Sequence, residues 1–327
     1  MQYQAYNPGE RPKPHPSSSS MLRRAAVKIG LGLCALITLS LLGKLIFALI
    51  MPFLMSFISP GGYSAFSYAV SLIAYCVILG VPCLMIVVML GFPARVAFPL
   101  RLPRADVLVA AVLISLGLRV ITGFMVSFLA SSIERLTGLV PQAPAMPQPE
   151  GFLPFIIYFI SIAVAPAIFE ELLFRGIIMQ SLRRFGDYFA VIVSSVLFAL
   201  IHGNLIQGPY SLLLGMFIGY FVIYTGSLWT GVAIHFVNNA TAVVLENILR
   251  TQGGYNYEIF AGIFLMASVL LAVFGLVYMR RRYGSLFYLK RGNHPLPESR
   301  KQLVFFTAVP VLVVIGWAIY ESWGYLA

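Results

Sequence analysis

The sequence has 327 residues, of which 60% are hydrophobic and 10% are charged, and its mean hydropathy is +0.90. These values exclude a soluble globular protein and predict an all-α, polytopic bundle of transmembrane helices. The net charge of +11 comes from basic residues in the joints between apolar segments. There they set the topology and contact anionic headgroups, so we expect membrane lipid as a partner and no nucleic acid.

Residues 1–28 contain several prolines and a run of serines, a composition that cannot bury a core. We predict that they form a disordered cytoplasmic tail. The apolar run that follows is too long for a signal peptide and lacks a small-residue cleavage site, so we expect it to be retained as the first span. The cysteines, all within apolar segments, indicate neither a disulfide framework nor a metal site.

Nine apolar segments are candidates to cross about 30 Å of hydrocarbon. In chain order they are 29–58, 64–91, 106–131, 152–182, 188–203, 209–225, 230–249, 259–279 and 302–320. The fifth and sixth are short, and one or both could be re-entrant. We therefore expect about eight to nine spans, and seven if both short segments fail to cross.

The distribution of basic residues predicts the orientation, because cytoplasmic joints are enriched in Lys and Arg. With nine spans and a cytoplasmic N-terminus, only Arg135 and Arg250 fall in outer joints. The cytoplasmic positions are Arg11, Lys13, Arg23, Arg24, Lys28, Arg95, Arg101, Arg104, Arg183, Arg184, Arg280, Arg281, Arg282, Lys290, Arg291, Arg300 and Lys301. We expect a multi-pass protein of the plasma membrane with its C-terminus outside.

The chain divides into four regions on this basis. Residues 1–28 form the tail, and 29–104 contain the N-terminal membrane spans. Residues 105–280 form a core that carries most of the polar residues within spans, and 281–327 contain a basic linker and a final span.

The most unusual stretch lies at residues 169–175, where two glutamates and an arginine interrupt the fourth span. Each charge at membrane depth costs at least a few kcal/mol, so the group requires partners, water or a function. In a helix, Glu171 and Arg175 share a face and can pair, whereas Glu170 points about 100° away. Glu171 is therefore expected to stay ionised, and Glu170 to be free for acid/base chemistry. Pro166 is expected to kink the helix and admit water.

Two further polar motifs occur in later spans. His202 ends the fifth segment, and His235 lies at the start of the seventh with Asn239 four residues later on the same face; Asn238 is an alternative to Asn239. The chain has four histidines, and the other two lie in the tail and in a loop. A pair of membrane histidines favours a functional site over isolated core residues.

Two chemical interpretations fit these residues. Glu170 could activate a water molecule for attack on a carbonyl while His or Asn side chains stabilise the oxyanion. Alternatively, Glu170, His202 and His235 could bind a divalent metal, most simply zinc with a water in an open position. The sequence does not distinguish between them.

Three motifs together resemble a known family. They are Glu-Glu-x-x-x-Arg at residues 170–175, Phe-x-x-x-His ending at His202, and His-x-x-x-Asn from His235 to Asn239. In this order, over about residues 105–280, they resemble the CPBP (Abi) family of intramembrane proteases, which contains CAAX prenyl proteases and bacteriocin-processing enzymes. The resemblance implies a helical bundle of about eight spans with an intramembrane site that opens to the cytoplasm.

The resemblance also implies roles for the residues. Glu170 corresponds to the carboxylate that activates water, His202 to its partner, and His235 with Asn239 to the oxyanion-binding residues. Glu171 and Arg175 complete the first motif, so that all six residues form the expected active site. Members of the family have been described both as metalloproteases and as glutamate-dependent proteases without a metal.

The sequence therefore predicts a membrane-embedded endopeptidase that acts on a peptide or protein substrate, which the resemblance allows to be prenylated. The alternative is a non-hydrolytic immunity or adaptor protein of the same fold. A proton-coupled transporter is less favoured, because the sequence has no internal repeat of the inverted kind.

Overall fold

A computed structural model describes residues 18–58, 62–91, 93–142, 149–284, 289 and 296–326, with the side chains of 252–254 excepted. Within these residues the regular secondary structure is entirely helical, and a single bridge joins Pro141 to Leu326. The prediction of an all-α bundle is confirmed.

The bounds of the helices follow the apolar segments of the sequence. They are α1 (Ser18–Met55), α2 (Tyr63–Leu90), α3 (Ala94–Ala97), α4 (Ala105–Thr137), α5 (Phe152–Phe185), α6 (Asp187–Ile201), α7 (Gln207–Thr225), α8 (Leu228–Tyr283), α9 (Glu298–Phe306) and α10 (Val309–Trp323).

Seven segments of the described residues are long and apolar enough to cross a membrane, or eight if α9 and α10, bent by 77°, form one span. All nine predicted segments fall on helices. The segment at 188–203 corresponds to α6, whose 15 residues extend about 22 Å at 1.5 Å per residue. It is shorter than the hydrocarbon layer of about 30 Å. Together with the bend between α9 and α10, this explains why nine predicted segments correspond to seven long helices.

The predicted N-terminal tail is too long by eleven residues. Helix α1 begins at Ser18, and it buries Leu22, Ala25 and Ala26 against the core. Burial of these apolar side chains stabilises a helix over residues 18–28, for which the proline and serine composition of the segment had indicated disorder. Residues 1–17 of the predicted tail lie outside the described residues.

Helix α8 supplies two spans, Leu228–Thr251 and Tyr255–Tyr283, and both pack against α4. In the first span, Asn238 accepts a hydrogen bond from Arg119. In the second span, Ala272 lies against Gly117, so close that a Cβ on that glycine would be 2.4 Å away. In a straight helix, residues 238 and 272 would be about 51 Å apart. The chain therefore reverses direction between the two spans.

Three joints rich in arginine meet at one end of the bundle, which we call the basic end. The Tyr283 hydroxyl, at the end of α8, donates to Asp106 Oδ2, at the start of α4, at 2.6 Å. The Ser227 hydroxyl, between α7 and α8, donates to the Arg101 carbonyl at 2.6 Å. Lys301, in α9, donates to the Phe185 carbonyl at 2.7 Å. The joints that these contacts bring together are the ones that the distribution of basic residues assigns to the cytoplasm.

The joint between α4 and α5 and the joint between α6 and α7 meet at the opposite end, next to the C-terminal residues. The Asn204 side-chain amide donates to the Gln142 carbonyl at 2.9 Å, and the Gln142 backbone N–H donates to the Tyr325 carbonyl at 2.9 Å. Lys44 pairs with Glu321 at 2.8 Å. The joints thus alternate between two ends, in agreement with the predicted topology.

Candidate active site

The paired glutamates lie between two wide turns of α5. The helix is of the π type at Ile160–Val164 and again at Leu172–Ile178, with ordinary α-helix at Ala165–Glu171 between them. Pro166 lies just after the first wide turn and has no N–H to donate. Such irregular turns are frequent at functional sites because they redirect side chains. The expected irregularity near Pro166 is present.

Glu171 and Arg175 form a buried ion pair, as predicted. Arg175 Nη1 donates to Glu171 Oε1 at 2.7 Å, and both side chains are 0% exposed. The guanidinium also lies over the Phe198 ring at 4.3 Å. A Cβ on Gly215 would be 3.0 Å from Arg175 Nη2, and one on Gly231 would be 2.8 Å from Glu171 Oε2. Two glycines on neighbouring helices therefore leave the room that the pair occupies.

His235 connects the two glutamates. Its Nδ1 lies 3.0 Å from Glu171 Oε1, and its Nε2 lies 3.8 Å from Glu170 Oε2. An ionised carboxylate can only accept, so Nδ1 carries the proton in that hydrogen bond. The buried ion pair therefore fixes the orientation of the imidazole whose other nitrogen faces Glu170.

Glu170 differs from its neighbour in exposure and in partners. Its side chain is 17% exposed, and the Tyr75 hydroxyl of α2 donates to its Oε1 at 2.6 Å. The described contacts of Glu170 are thus with a tyrosine and a histidine, and its ion pair with Arg175, which the helix geometry disfavoured, does not form. This carboxylate is the one available to a bound molecule.

His202 is held by its own helix end. Its Nδ1 lies 2.7 Å from the Phe198 carbonyl, and its ring packs edge-on against the Phe198 ring. Since a carbonyl only accepts, Nδ1 donates, which leaves the Nε2 of the neutral ring as an acceptor. Phe198 also contacts His235 edge-on, so the same ring packs against both imidazoles.

Asn239 is anchored on the other side of the site. Its side-chain amide donates to the Ile162 carbonyl at 3.1 Å. Residue 162 lies within the first wide turn of α5, where the usual i to i−4 pattern is interrupted. The wide turn therefore provides the acceptor that orients this amide.

Four of the six predicted site residues line one cavity of about 720 Å³. They are Glu170, His202, His235 and Asn239. Glu171 and Arg175 do not line it and lie behind Glu170 and His235 in the packed interior. The structure thus divides the predicted site into a cavity wall and a buried support.

The cavity extends from Glu170 toward Ile206 and Gln207, where α7 begins. The joint before α7 lies at the opposite end of the bundle, away from the basic end. The charge pattern assigns that end to the outside. These lining residues lie toward the end of the bundle away from the basic end, and the cytoplasmic opening that the family resemblance implies stays a prediction.

The predicted zinc site at Glu170, His202 and His235 is not supported. Within the described part of the chain, no group of three His, Cys, Asp or Glu side chains is arranged to hold a metal ion. We derive no metal-dependent step.

Sequence reasoning missed two contributors to the cavity wall. Tyr75 is one of 17 tyrosines, and no spacing links it to Glu170, which is 95 residues away. Arg119 of α4 donates to Asn238 Oδ1 at 2.8 Å and to the Tyr210 hydroxyl at 3.3 Å, and Tyr210 also bonds Asn238. A charged residue inside an apolar span was the available signal for Arg119.

Comparison with known proteins gives one match. A family model described as Rce1-like, type II CAAX prenyl endopeptidase, matches residues 152–241. No curated protein and no solved structure matches the chain. The matched segment contains all six predicted site residues, while Tyr75 and Arg119 lie outside it. The resemblance that the three motifs predicted is therefore confirmed for residues 152–241, the segment that matches this family of CAAX prenyl endopeptidases.

Proposed function

We propose that this protein is an intramembrane endopeptidase in which Glu170 activates water. One observation carries the proposal: Glu170, His202, His235 and Asn239, which come from three helices, line a single cavity inside the bundle. A carboxylate, two imidazoles and an amide around one cavity are the groups that hydrolysis of a peptide bond requires.

The first step is attack by water on the scissile carbonyl. Glu170 accepts one proton from the water while the Nε2 of His202 accepts a hydrogen bond from its other O–H, which orients the oxygen. The water oxygen bonds to the carbonyl carbon and forms a tetrahedral intermediate. The carbonyl oxygen then carries the negative charge.

The oxyanion requires hydrogen-bond donors that are already in position. Asn239 provides an amide N–H, and His235 provides Nε2–H when its ring is protonated. As the intermediate collapses, the C–N bond breaks and Glu170 returns its proton to the leaving amine.

Three residues support these groups. Glu171 fixes the His235 ring through Nδ1, and Arg175 balances the charge of Glu171. Tyr75 donates to one oxygen of Glu170 and leaves the other free to take a proton. We regard these three as positioning residues, since Glu171 and Arg175 lie outside the cavity wall and Tyr75 acts through Glu170.

The substrate is a peptide or protein that reaches the cavity from the membrane or its surface. The description of the matched family names a prenyl endopeptidase, and a prenylated substrate is accordingly part of the proposal. Residence in the plasma membrane stays a prediction from the sequence.

The test uses purified protein in lipid nanodiscs and a peptide library, with products identified by mass spectrometry. The parent protein and Glu134→Gln, a matched change at an exposed glutamate near the end of α4, should release the same fragments. Glu170→Gln and His202→Ala should release none above background. A parent that binds peptides without cleaving them would favour the adaptor alternative, and cleavage by Glu170→Gln at the parent rate would refute the proposed role.

A further inference from the structure

A positive charge lies in the wall of the cavity without an acidic partner. Arg119 of α4 lines the cavity together with Glu170 and His235. Its Nη1 donates to Asn238 Oδ1 at 2.8 Å, to the Asn238 carbonyl at 3.1 Å and to the Tyr210 hydroxyl at 3.3 Å. All of these acceptors are neutral.

The other two basic residues inside the predicted apolar segments, Lys44 and Arg175, each pair with a carboxylate. Arg175 pairs with Glu171 at 2.7 Å, and Lys44 pairs with Glu321 at 2.8 Å. Among the described residues, no carboxylate lies within ion-pair distance of Arg119. A guanidinium at membrane depth is costly, and it is retained where it binds a partner or serves a function. Arg119 is therefore a cation whose counterion is missing from the protein itself.

Arg119 lies close to the residues that are proposed to act on the substrate. Its partner Asn238 lies three residues after His235 and directly before Asn239. Positions three apart on a helix are neighbours, with Cβ atoms about 5–6 Å from each other. A peptide bound at Glu170 and His235 would place groups only a few ångström from the scissile bond next to Arg119.

We propose that Arg119 binds a carboxylate of the substrate, supplied by the C-terminus of the peptide or by an acidic side chain near the cleaved bond. Guanidinium and carboxylate match each other in geometry, and an ion pair with a carboxylate is stronger than the hydrogen bonds that Arg119 donates to neutral acceptors. The proposal rests on the peptidase function for the identity of the ligand as a peptide. Its test measures binding alone, so that its failure can be distinguished from failure of the hydrolytic mechanism.

The experiment uses Glu170→Gln protein in nanodiscs, so that bound peptides are not cleaved. Three randomised hexapeptide mixtures serve as probes: one without acidic residues and with free C-terminal carboxylates, the same mixture with C-terminal amides, and an amidated mixture that contains Asp and Glu. Retention on the immobilised protein is quantified by mass spectrometry. We expect at least one carboxylate-bearing mixture to be retained about 10-fold better than the neutral amides.

Variants then assign this preference to Arg119. Arg119→Gln should lower the ratio of acid to neutral peptide to about 1, and Arg119→Lys should retain part of it. Arg135→Gln, which removes an exposed arginine of the same helix, should leave the ratio unchanged. A loss of packing alone would weaken acid and amide peptides equally, so the ratio separates binding from a structural role.

A second variant keeps Arg119 and gives it a counterion within the protein. Asn238→Asp changes little in size and places a carboxylate beside Nη1, so it should abolish the preference as Arg119→Gln does.

Preference for the C-terminal acid mixture identifies the terminus as the ligand, and preference for the Asp and Glu mixture identifies a side chain. Equal retention of all three mixtures, or a preference that survives both Arg119→Gln and Asn238→Asp, would overturn the proposal.

Discussion

Glu170 and Glu171 are adjacent in the chain and occupy two different environments. Glu171 is 0% exposed, is paired with Arg175, and lies where glycines of α7 and α8 bring the helices close. Glu170 is 17% exposed, touches Tyr75 and lines a cavity large enough for part of a peptide. The two environments correspond to two roles. The buried carboxylate of Glu171 holds the His235 imidazole in place, and the more exposed carboxylate of Glu170 can contact a substrate.

The largest effect is expected from removing one partner of the buried ion pair between Glu171 and Arg175. Arg175→Ala should lower the free energy of unfolding by about 3–5 kcal/mol, because it leaves the charge of Glu171 buried and unpaired. Denaturant unfolding in mixed micelles measures this. The partly exposed pair Arg183 and Asp187 is the control, and Arg183→Ala should cost about 0–1 kcal/mol.

The double variant Arg175→Met with Glu171→Gln refines this prediction. Replacing both charges removes the unpaired ion, so the double variant should be more stable than Arg175→Ala. If Arg175→Ala unfolds at the same denaturant concentration as the parent, the pair does not support the bundle.

A smaller effect is expected at the hydrogen bond between Tyr75 and Glu170. Tyr75→Phe removes a hydrogen bond to a charged group, worth about 1.5–3 kcal/mol, and should lower kcat/KM about 10- to 100-fold. Tyr63→Phe, at the start of the same helix, is the matched control. Full activity in Tyr75→Phe would show that Glu170 is positioned without α2.

The smallest expected effect concerns the space around Glu171. The Cβ introduced by Gly231→Ala would lie 2.8 Å from Glu171 Oε2, and overpacking of this kind costs about 1–3 kcal/mol. Gly262→Ala, in the second span of α8, meets nothing within 4 Å and should be neutral or slightly stabilising. Equal Tm values for these two variants would contradict the close approach of α8 to the ion pair.

Local patterns predicted the parts of the site that lie on one helix. The pairing of Glu171 with Arg175 follows from a spacing of four residues, and hydropathy located every helix that could span the membrane. The count of spans was less accurate, because α6 is apolar but has only 15 residues. Hydropathy indicates burial in lipid or protein equally well, and only the packed structure shows how far the helix reaches.

Contacts between distant helices could not be predicted in the same way. Tyr75 reaches Glu170 from α2, and Arg119 reaches Asn238 from α4, across 95 and 119 residues. The zinc interpretation is a related case, since residue types alone do not show whether side chains converge on one point, and no group of three His, Cys, Asp or Glu side chains in the described residues is arranged to hold a metal ion. Side-chain orientation depends on packing that no spacing rule contains.

The most direct test of the central claim changes each of the adjacent carboxylates in turn to the amide of the same shape. Glu170→Gln and Glu171→Gln are compared in kcat/KM and in Tm under identical conditions. Glu170→Gln should lose activity about 10²- to 10⁴-fold, as expected for a general base, and keep the Tm of the parent. Glu171→Gln should lower Tm because it leaves Arg175 without its counterion. The reverse result, an active Glu170→Gln or a Glu171→Gln of unchanged Tm with normal activity, would contradict the division between chemistry and support.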